Sequence, residues 1–199
     1  MHTYLFSNDD IRCYVRDLAD RLDNLGENFP TVWYTLGESG DKIAEVLYPL
    51  IKSDSHRNKI NVQPIYFNRT HKTVLLRDGT ELKSYSATTP ALLLDGAVHS
   101  GNSMGESVKK ITTSGANEVL SYSFVVKRTS TFIPNYFGIL VGEHDRPYFQ
   151  LDVIPNNILR EDAPFGTLRR ICSDDVKRDQ RFLNTEVASM ALFASYVGV

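Results

Sequence analysis

The 199-residue chain has the composition of an ordinary globular protein, with 42% hydrophobic and 23% charged residues, and its length allows one sizeable core. A formal net charge of -2 argues against an overall basic field, so no nucleic-acid or membrane partner is expected. Two distant cysteines, Cys13 and Cys172, argue against a CxxC zinc site or a disulfide framework, and without an apolar span or signal segment we expect a cytoplasmic protein.

Strand-like and helix-like segments alternate along the chain, which predicts an α/β domain with right-handed crossovers and a mostly parallel sheet. The continuously apolar stretch 91–94 is typical of a strand buried on both faces of such a sheet. In chain order, the patterns predict a helix over 8–25, a strand over 31–36, a helix over 42–52, a strand over 60–67, a hairpin over 72–84, a strand over 91–94, a helix over 102–115, and strands over 118–127, 136–142 and 147–154.

Several local signals add detail to this order of elements. Pro49 should kink or end the second helix, and Pro64 should place its strand at an edge or a bulge of the sheet. The dipeptide Asp78-Gly79 is favoured in tight hairpin turns, so an exposed hairpin is expected there. We interpret residues 1–157 as one domain, and residues 158–199 as an extension that packs on it or leads to a further domain.

Residues 91–104, ALLLDGAVHSGNSM, place an acid and a run of small residues between a buried strand and a helix. Backbone N–H groups converge at the start of a helix, which favours binding of a phosphate. Gly101 lets the backbone approach a ligand closely, and Ser100 and Ser103 add hydroxyl donors. The Walker and GxGxxG patterns are absent. The same residues would equally form a plain strand-to-helix turn with an Asx-type cap.

Two stretches carry a resemblance to a known family. Residues 92–104 resemble the phosphoribosyl-pyrophosphate (PRPP) signature of type I phosphoribosyltransferases, in which four apolar residues and two acids precede three variable residues and Thr-Gly-x-Thr. Residues 124–141, FVVKRTSTFIPNYFGILV, resemble the Val-Lys-Arg strand and the Pro-Asp-Tyr/Phe-x-Gly segment of the hypoxanthine-guanine and xanthine enzymes. The resemblance covers roughly residues 30–155. It implies the family's α/β fold with a hairpin flap, and transfer of phosphoribose from PRPP to a 6-oxopurine with release of pyrophosphate.

The resemblance also implies roles for residues of the phosphate turn. Asp95 matches the first acid of the signature and would hold a ribose hydroxyl directly or through metal and water. His99 stands where the purine enzymes carry an Asp that exchanges a proton with the base, and an imidazole can also shuttle a proton. His99 would otherwise face the phosphate or the solvent. The residues expected to bind the 5′-phosphate are Gly96, Ala97, Val98, His99, Ser100, Gly101, Asn102 and Ser103.

The resemblance also implies which residues would bind the base, the pyrophosphate and the Mg²⁺ cofactor. Lys127 matches the lysine that contacts the exocyclic oxygen of the purine, and Tyr136 matches the aromatic residue that stacks on it. Outside that context, Tyr136 would be read as sheet core and Lys127 as a solvated strand end. The implied base site is Lys127, Tyr136, Phe137 and Asp152, the pyrophosphate loop is Gly37, Glu38, Ser39 and Gly40, and the metal ligands are Asp95 and Glu143.

The chain departs from the family pattern at two further positions. Gly96 stands where the family has its second acid, which removes one strong acceptor for the ribose, and Glu38 brings negative charge to the pyrophosphate loop. Two hypotheses follow: a purine phosphoribosyltransferase whose hairpin, residues 72–84, closes over the site, or a catalytically impaired sensing or interaction domain that binds PRPP or a nucleotide. A homodimer or larger homo-oligomer is expected.

Overall fold

The computed structural model describes residues 3–6, 8–82, 90–143 and 146–149, with side chains over 11–82 and 90–143. The chain divides into two units, Ile11–Glu143 and a second unit made of Met1–Asp10 with His144–Val199. The predicted extension over 158–199 lies outside the described residues. The described elements are β1 (Thr3–Phe6), α1 (Asn8–Asp23), β2 (Val32–Leu36), α2 (Gly37–Leu47), α3 (Asp54–Arg57), β3 (Asn61–Asn68), β4 (Thr73–Leu76), β5 (Ala91–Val98), α4 (Asn102–Thr113), β6 (Val119–Lys127), β7 (Tyr136–Val141) and β8 (Arg146–Phe149).

Six strands form one sheet in the order β4-β3-β2-β5-β6-β7, parallel throughout except for the antiparallel pair β3–β4. Leu92, Leu93 and Leu94 of β5 are fully buried, as their continuously apolar sequence predicts for a central strand. The mostly parallel α/β sheet expected from the sequence is therefore confirmed. In this sheet β2 lies beside β3 on one side and beside β5 on the other, so the strand order reverses between β2 and β5.

The helices bury their apolar stripes in the way their spacing predicts. Counted from Ile11, the residues of α1 at i, i+4, i+7, i+8 and i+11 are at most 1% exposed, and burial of each Val, Ile or Leu side chain among them stabilises the fold by about 1.5–3 kcal/mol. These residues are Ile11, Val15, Leu18, Ala19 and Leu22. α2 ends at Leu47, and a 3-10 turn over Tyr48–Leu50 contains Pro49, which confirms that this proline ends the helix.

Two predictions differ from the structure: the edge position of the strand that contains Pro64, and the place of the last strand in the main sheet. Pro64 is not on an edge strand, because β3 lies between β4 and β2. It fits there because β4 pairs only with Ile65–Asn68, and the carbonyl of Pro64 accepts a hydrogen bond from the Arg77 N–H at 3.0 Å. The strand predicted over 147–154 does not join the main sheet either, since β8 pairs with β1 in a separate two-stranded sheet.

The turn predicted at Asp78-Gly79 is present. The Leu76 N–H donates to the Thr80 carbonyl at 2.8 Å, the Gly79 N–H donates to the Leu76 carbonyl at 2.9 Å, and Gly79 has a φ of 86° that glycine adopts readily. The second arm of this hairpin is described as far as Leu82. Within the described residues, no helix is both long and apolar enough to cross a bilayer.

Candidate functional site

A cavity of about 350 Å³ opens at the carboxyl ends of β2, β3 and β5. This is the point where the strand order reverses, and in open α/β sheets ligands bind in the crevice outside the carboxyl ends of the strands at such a point. The fold therefore marks this cavity as the candidate site. Its walls are formed by Leu36, Gly37, Tyr66, Phe67, Arg69, Asp95, Ala97, Val98, His99, Ser100, Gly101, Ser103 and Met104.

One wall of the cavity is the turn between β5 and α4. β5 ends at Val98 and α4 begins at Asn102, with Gly101 as its N-terminal cap in a left-handed conformation of φ 86°. The Gly101 carbonyl accepts the first helical hydrogen bond, from the Gly105 N–H at 2.8 Å. The first N–H groups of a helix have no acceptor within the helix, and the helix dipole adds partial positive charge at this end. The turn is suited to an anion.

The residues predicted to bind phosphate mostly lie on this wall. The members that line the cavity are Ala97, Val98, His99, Ser100, Gly101 and Ser103. Asn102 borders an adjoining cavity of about 730 Å³, which Arg69 and Lys72 also line. Gly96 does not line either of the two cavities.

The turn is held in place by the segment that follows β6. The carbonyl of Ser100 accepts hydrogen bonds from the Thr131 N–H at 3.0 Å and from the Thr131 hydroxyl at 2.8 Å. A Cβ atom on Gly101 would lie 2.5 Å from the backbone nitrogen of Phe132 and 2.6 Å from the Ser130 hydroxyl oxygen. Glycine is thus required at position 101 both by its φ and by this packing. A turn that is fixed in this way loses little conformational entropy when an anion binds.

Across the cavity, the turn between β3 and β4 supplies cations that sequence reasoning missed. The Asn68 side chain accepts hydrogen bonds from the N–H groups of Thr70 at 3.0 Å and His71 at 3.2 Å, which forms an Asx-type turn. Lys72 follows with a φ of 52°. Arg69, at the start of this turn, lines the same cavity as His99. Partial burial lowers the pKa of His99, and the positive charges of Lys127 and Arg69 lower it further.

Asp95 lies on the floor of the cavity and is only 9% exposed. Its Oδ1 accepts hydrogen bonds from the Ser39 hydroxyl at 2.9 Å and from the Ala97 N–H at 3.4 Å. Burial raises the pKa of Asp95 to about 6, because desolvation disfavours the carboxylate more than hydrogen bonds from Ser39, Ala97 and Gly96 favour it. The side chain can therefore exchange a proton within the ordinary pH range.

Gly96 is covered by Ser39 and leaves no room for a second acid. The Gly96 N–H donates to the Ser39 hydroxyl oxygen at 3.3 Å, and a Cβ on Gly96 would lie 2.5 Å from the Ser39 Cβ. Such a distance is essentially never tolerated between real carbon atoms, so any side chain at position 96 must displace Ser39 or the helix that carries it.

The predicted pyrophosphate loop, residues 37–40, forms the first turn of α2. Gly37 lines the cavity and has a φ of 67°, whereas Glu38 is exposed and is not part of the cavity wall. Gly40 is buried, and a Cβ there would lie 2.4 Å from the carbonyl oxygen of Leu94 in β5. Gly40 therefore brings the helix close to the sheet, and its backbone is not available to a ligand.

The structure does not bring the predicted base-binding residues together. Lys127 pairs with Val141, whereas Tyr136 pairs with Tyr122, five positions earlier on β6. The Tyr136 ring lies under the Arg21 guanidinium at 5.8 Å from the ring centroid. The parallel register is the reason, since it places the start of β7 far from the carboxyl ends where the cavity opens.

Two other contacts involve predicted residues: Phe137 lies next to Tyr136 on β7, and Lys127 contacts the backbone of Glu143. Phe137 is 44% exposed and pairs with Ser123, on the same early part of β7 as Tyr136. The Lys127 ammonium donates to the backbone carbonyl of Glu143 at 2.8 Å. Asp152 lies outside the described residues. Among the described residues, the aromatic side chains on the cavity wall are instead Tyr66 and Phe67 of β3, which the sequence reasoning had treated only as strand residues.

The two predicted metal ligands do not share the cavity wall. Asp95 lines the cavity, whereas Glu143 follows the end of β7 and is not among the residues that line it. No group of three or more His, Cys, Asp or Glu side chains is placed to hold a metal ion in the part of the chain that the structure describes. One buried carboxylate, Asp95, fits a Mg²⁺ that keeps several waters and is held mainly by the oxygens of a phosphorylated ligand. It does not fit a cage made by protein side chains.

Comparison with known proteins shows the fold. No family model matches the chain, and no curated protein matches its sequence. A purine phosphoribosyltransferase from Pyrococcus horikoshii is similar at 14% identity over 75% of this chain and 93% of that one, with a TM-score of 0.60. A Trypanosoma cruzi hypoxanthine phosphoribosyltransferase in complex with IMP matches at 12% identity over 67% and 77%, with a TM-score of 0.54. A Neisseria gonorrhoeae protein with bound ppGpp matches at 18% identity over 77% and 91%, with a TM-score of 0.55.

Proposed function

We propose that this chain, which has the type I phosphoribosyltransferase fold, binds the 5′-phosphate of a phosphoribosyl compound, either PRPP or a purine nucleoside 5′-monophosphate. One observation carries the proposal. The N-terminus of α4, the small-residue turn before it and Arg69 from the opposite wall converge on one cavity at the strand-order reversal of the sheet. Two of the structural neighbours hold the nucleotides IMP and ppGpp, which supports a ligand of this class.

The chemistry of the wall suits a phosphate dianion. Backbone N–H groups at the start of α4 and the hydroxyls of Ser100 and Ser103 would donate to its oxygens. The Arg69 guanidinium would add charge-assisted hydrogen bonds, which are about twice as strong as those between neutral groups. Tyr66 and Phe67 offer flat apolar surface in the same cavity, on which a base can stack.

Calorimetric titration tests this binding directly. GMP and Mg²⁺-PRPP should bind, whereas guanosine, which lacks the phosphate, should bind far more weakly. Arg69→Gln should weaken GMP binding by about tenfold or more, because it removes a charged donor to the phosphate. Arg16→Gln, which removes an exposed arginine from α1, is the matched control and should leave the affinity unchanged. Equal binding of GMP and guanosine would refute the phosphate site.

A second candidate function is transfer of phosphoribose from PRPP to a 6-oxopurine. His99 favours it, because its lowered pKa leaves a neutral imidazole at pH 7 that can accept a proton from the base. Asp95 would hold Mg²⁺ together with the pyrophosphate group, and the metal would neutralise negative charge that develops on the leaving pyrophosphate. The first turn of α2 argues against this function. The Ser39 hydroxyl already donates a hydrogen bond to the Asp95 carboxylate, and the backbone of Gly40 is buried and cannot bind pyrophosphate.

Pyrophosphate release separates the two functions. The protein would be incubated with Mg²⁺, PRPP and hypoxanthine, guanine or xanthine, with pyrophosphate measured over time. Transfer is supported if the unmodified protein turns over and the His99→Asn variant loses turnover while it still binds GMP. Binding without turnover in the unmodified protein supports a sensing or interaction domain.

A further inference from the structure

We propose that the larger cavity beside the phosphate turn holds a second phosphoryl group, so that the site prefers a nucleoside 5′-diphosphate to the corresponding 5′-monophosphate. The inference rests on the proposed function, since it requires the 5′-phosphate to lie at the turn before α4. It concerns the group that follows this phosphate. The cavity of about 350 Å³ is called the inner cavity here, and the cavity of about 730 Å³ the outer cavity.

The two cavities meet at the phosphate turn. The residues that line both of them are Phe67, Arg69, His99, Ser100 and Ser103. Three of these belong to the turn and to the start of α4, and Arg69 belongs to the turn between β3 and β4. A phosphate that binds at this shared wall borders both cavities. A group attached to it can therefore extend into the outer cavity while the sugar enters the inner one.

The polarity of the two cavities determines which way such a ligand points. The apolar and aromatic residues that line only the inner cavity are Leu36, Tyr66, Val98 and Met104. The described residues that line only the outer cavity are all polar: Lys72, Asn102 and Glu106. The base and the sugar carry apolar surface, which the inner cavity removes from water. A second phosphoryl group in the inner cavity would be repelled by the Asp95 carboxylate on its floor, so this group belongs in the outer cavity.

The outer cavity supplies two cations for this group. Arg69 and Lys72 are the first and last residues of the loop 69–72, which lies between the paired residues Asn68 and Thr73. The Asn68 side chain accepts two backbone hydrogen bonds from this loop and fixes its shape. Within residues 11–82 and 90–143, neither cation takes part in an ion pair. Both side chains are available to an anionic ligand.

Glu106 is the one carboxylate among the described residues that line the outer cavity, and its position limits its effect. It follows Asn102 by about one turn of α4, so it is farther along the helix from the phosphate turn. It also borders a third cavity, of about 200 Å³, together with Lys72, Lys109 and Lys110. The outer cavity keeps a net positive charge, because Arg69 and Lys72 exceed this single acid.

Calorimetric titration of the full chain with GMP and GDP tests this inference, in buffer without divalent metal ions. The unmodified protein should bind GDP about tenfold more tightly than GMP. The expected factor is that of one further hydrogen bond between charged groups, from Lys72 to the second phosphoryl group.

Three variants locate the effect. Lys72→Gln should reduce the GDP preference to about twofold or less, because it removes a cation that only the second phosphoryl group meets. Glu106→Gln should raise the preference about two- to threefold, because it removes a repelling charge from the same cavity. Lys109→Gln is the matched control: it removes the same charge from an exposed lysine of α4 that does not line the outer cavity, and it should leave the preference unchanged.

The outcomes separate the inference from the proposed function. Binding of neither nucleotide would overturn both. Equal affinities for GMP and GDP in the unmodified protein would overturn the second phosphoryl site and leave the phosphate turn standing. An equal loss of preference in Lys72→Gln and Lys109→Gln would also overturn it, because general positive charge on this face would then explain the preference. Thermal unfolding of each variant would verify that it is folded before its affinities are compared.

Discussion

Asp95 gives the protein a pH-dependent stability that can be worked out from its surroundings. The carboxyl group has an ordinary pKa of 3.8, and burial in the folded chain raises the pKa to about 6. The folded state therefore binds a proton more tightly than the unfolded state. The stability that this proton contributes is fully present below pH 3.8 and is lost as the pH rises through about 6.

The size of the effect follows from the two pKa values. Each pKa unit corresponds to about 1.4 kcal/mol, so the difference between 3.8 and about 6 amounts to about 3 kcal/mol in the free energy of unfolding. Other titrating groups contribute as well, so the prediction concerns a difference between variants. Asp95→Asn keeps an oxygen for the Ser39 hydroxyl and removes the titration.

Urea unfolding at a series of pH values from 4 to 8 measures this difference. The free energy of unfolding of the unmodified protein should fall relative to that of Asp95→Asn by about 2.5 kcal/mol across the series, since part of the full effect is already lost at pH 4, and most of the change should be complete by pH 7. Glu118→Gln, which removes an exposed carboxyl group, should follow the unmodified protein. Parallel curves for Asp95→Asn and the unmodified protein would refute the burial argument.

Substitutions of three glycines should each lower the free energy of unfolding, which urea unfolding measures. Gly40→Ala should destabilise by about 1–3 kcal/mol, because its Cβ would meet the Leu94 carbonyl at 2.4 Å; no loss would mean that α2 sits farther from β5. Gly101→Ala should cost at least about 2 kcal/mol, since both its φ of 86° and the Phe132 backbone oppose a side chain, and it should also weaken GMP binding. Gly96→Asp should destabilise by about 1–3 kcal/mol and should not restore a ribose contact, and a gain in GMP affinity at full stability would contradict the position of Ser39.

Much of the fold can be predicted from the sequence because its signals are local. The apolar run Leu92–Leu94 identifies a central strand, the spacing from Ile11 to Leu22 identifies an amphipathic helix, and Pro49 marks the end of another. The turn before α4 is also local, since Gly101 lies between a buried strand and a helix start. Each of these features is determined by a few neighbouring residues, through their hydrophobic periodicity and their preference for helix starts and ends.

The rest of the site depends on contacts between distant parts of the chain. Ser39 and Asp95 are far apart in sequence, and only the packing of α2 on β5 brings them to 2.9 Å. Strand register separates Tyr136 from Lys127, and no pattern within either segment fixes that register. Arg69 lies in a hairpin turn whose direction relative to the cavity is set by the antiparallel pairing of β3 and β4.

A crystal of the protein soaked with GMP would show directly whether the turn before α4 binds a phosphate. We expect the phosphate against the N–H groups at residues 100–103, with the Arg69 guanidinium within hydrogen-bonding distance of its oxygens. The Ser39 hydroxyl should still donate to Asp95 in the complex. A phosphate bound elsewhere on the chain, with this turn left without contact to the ligand, would refute the phosphate site.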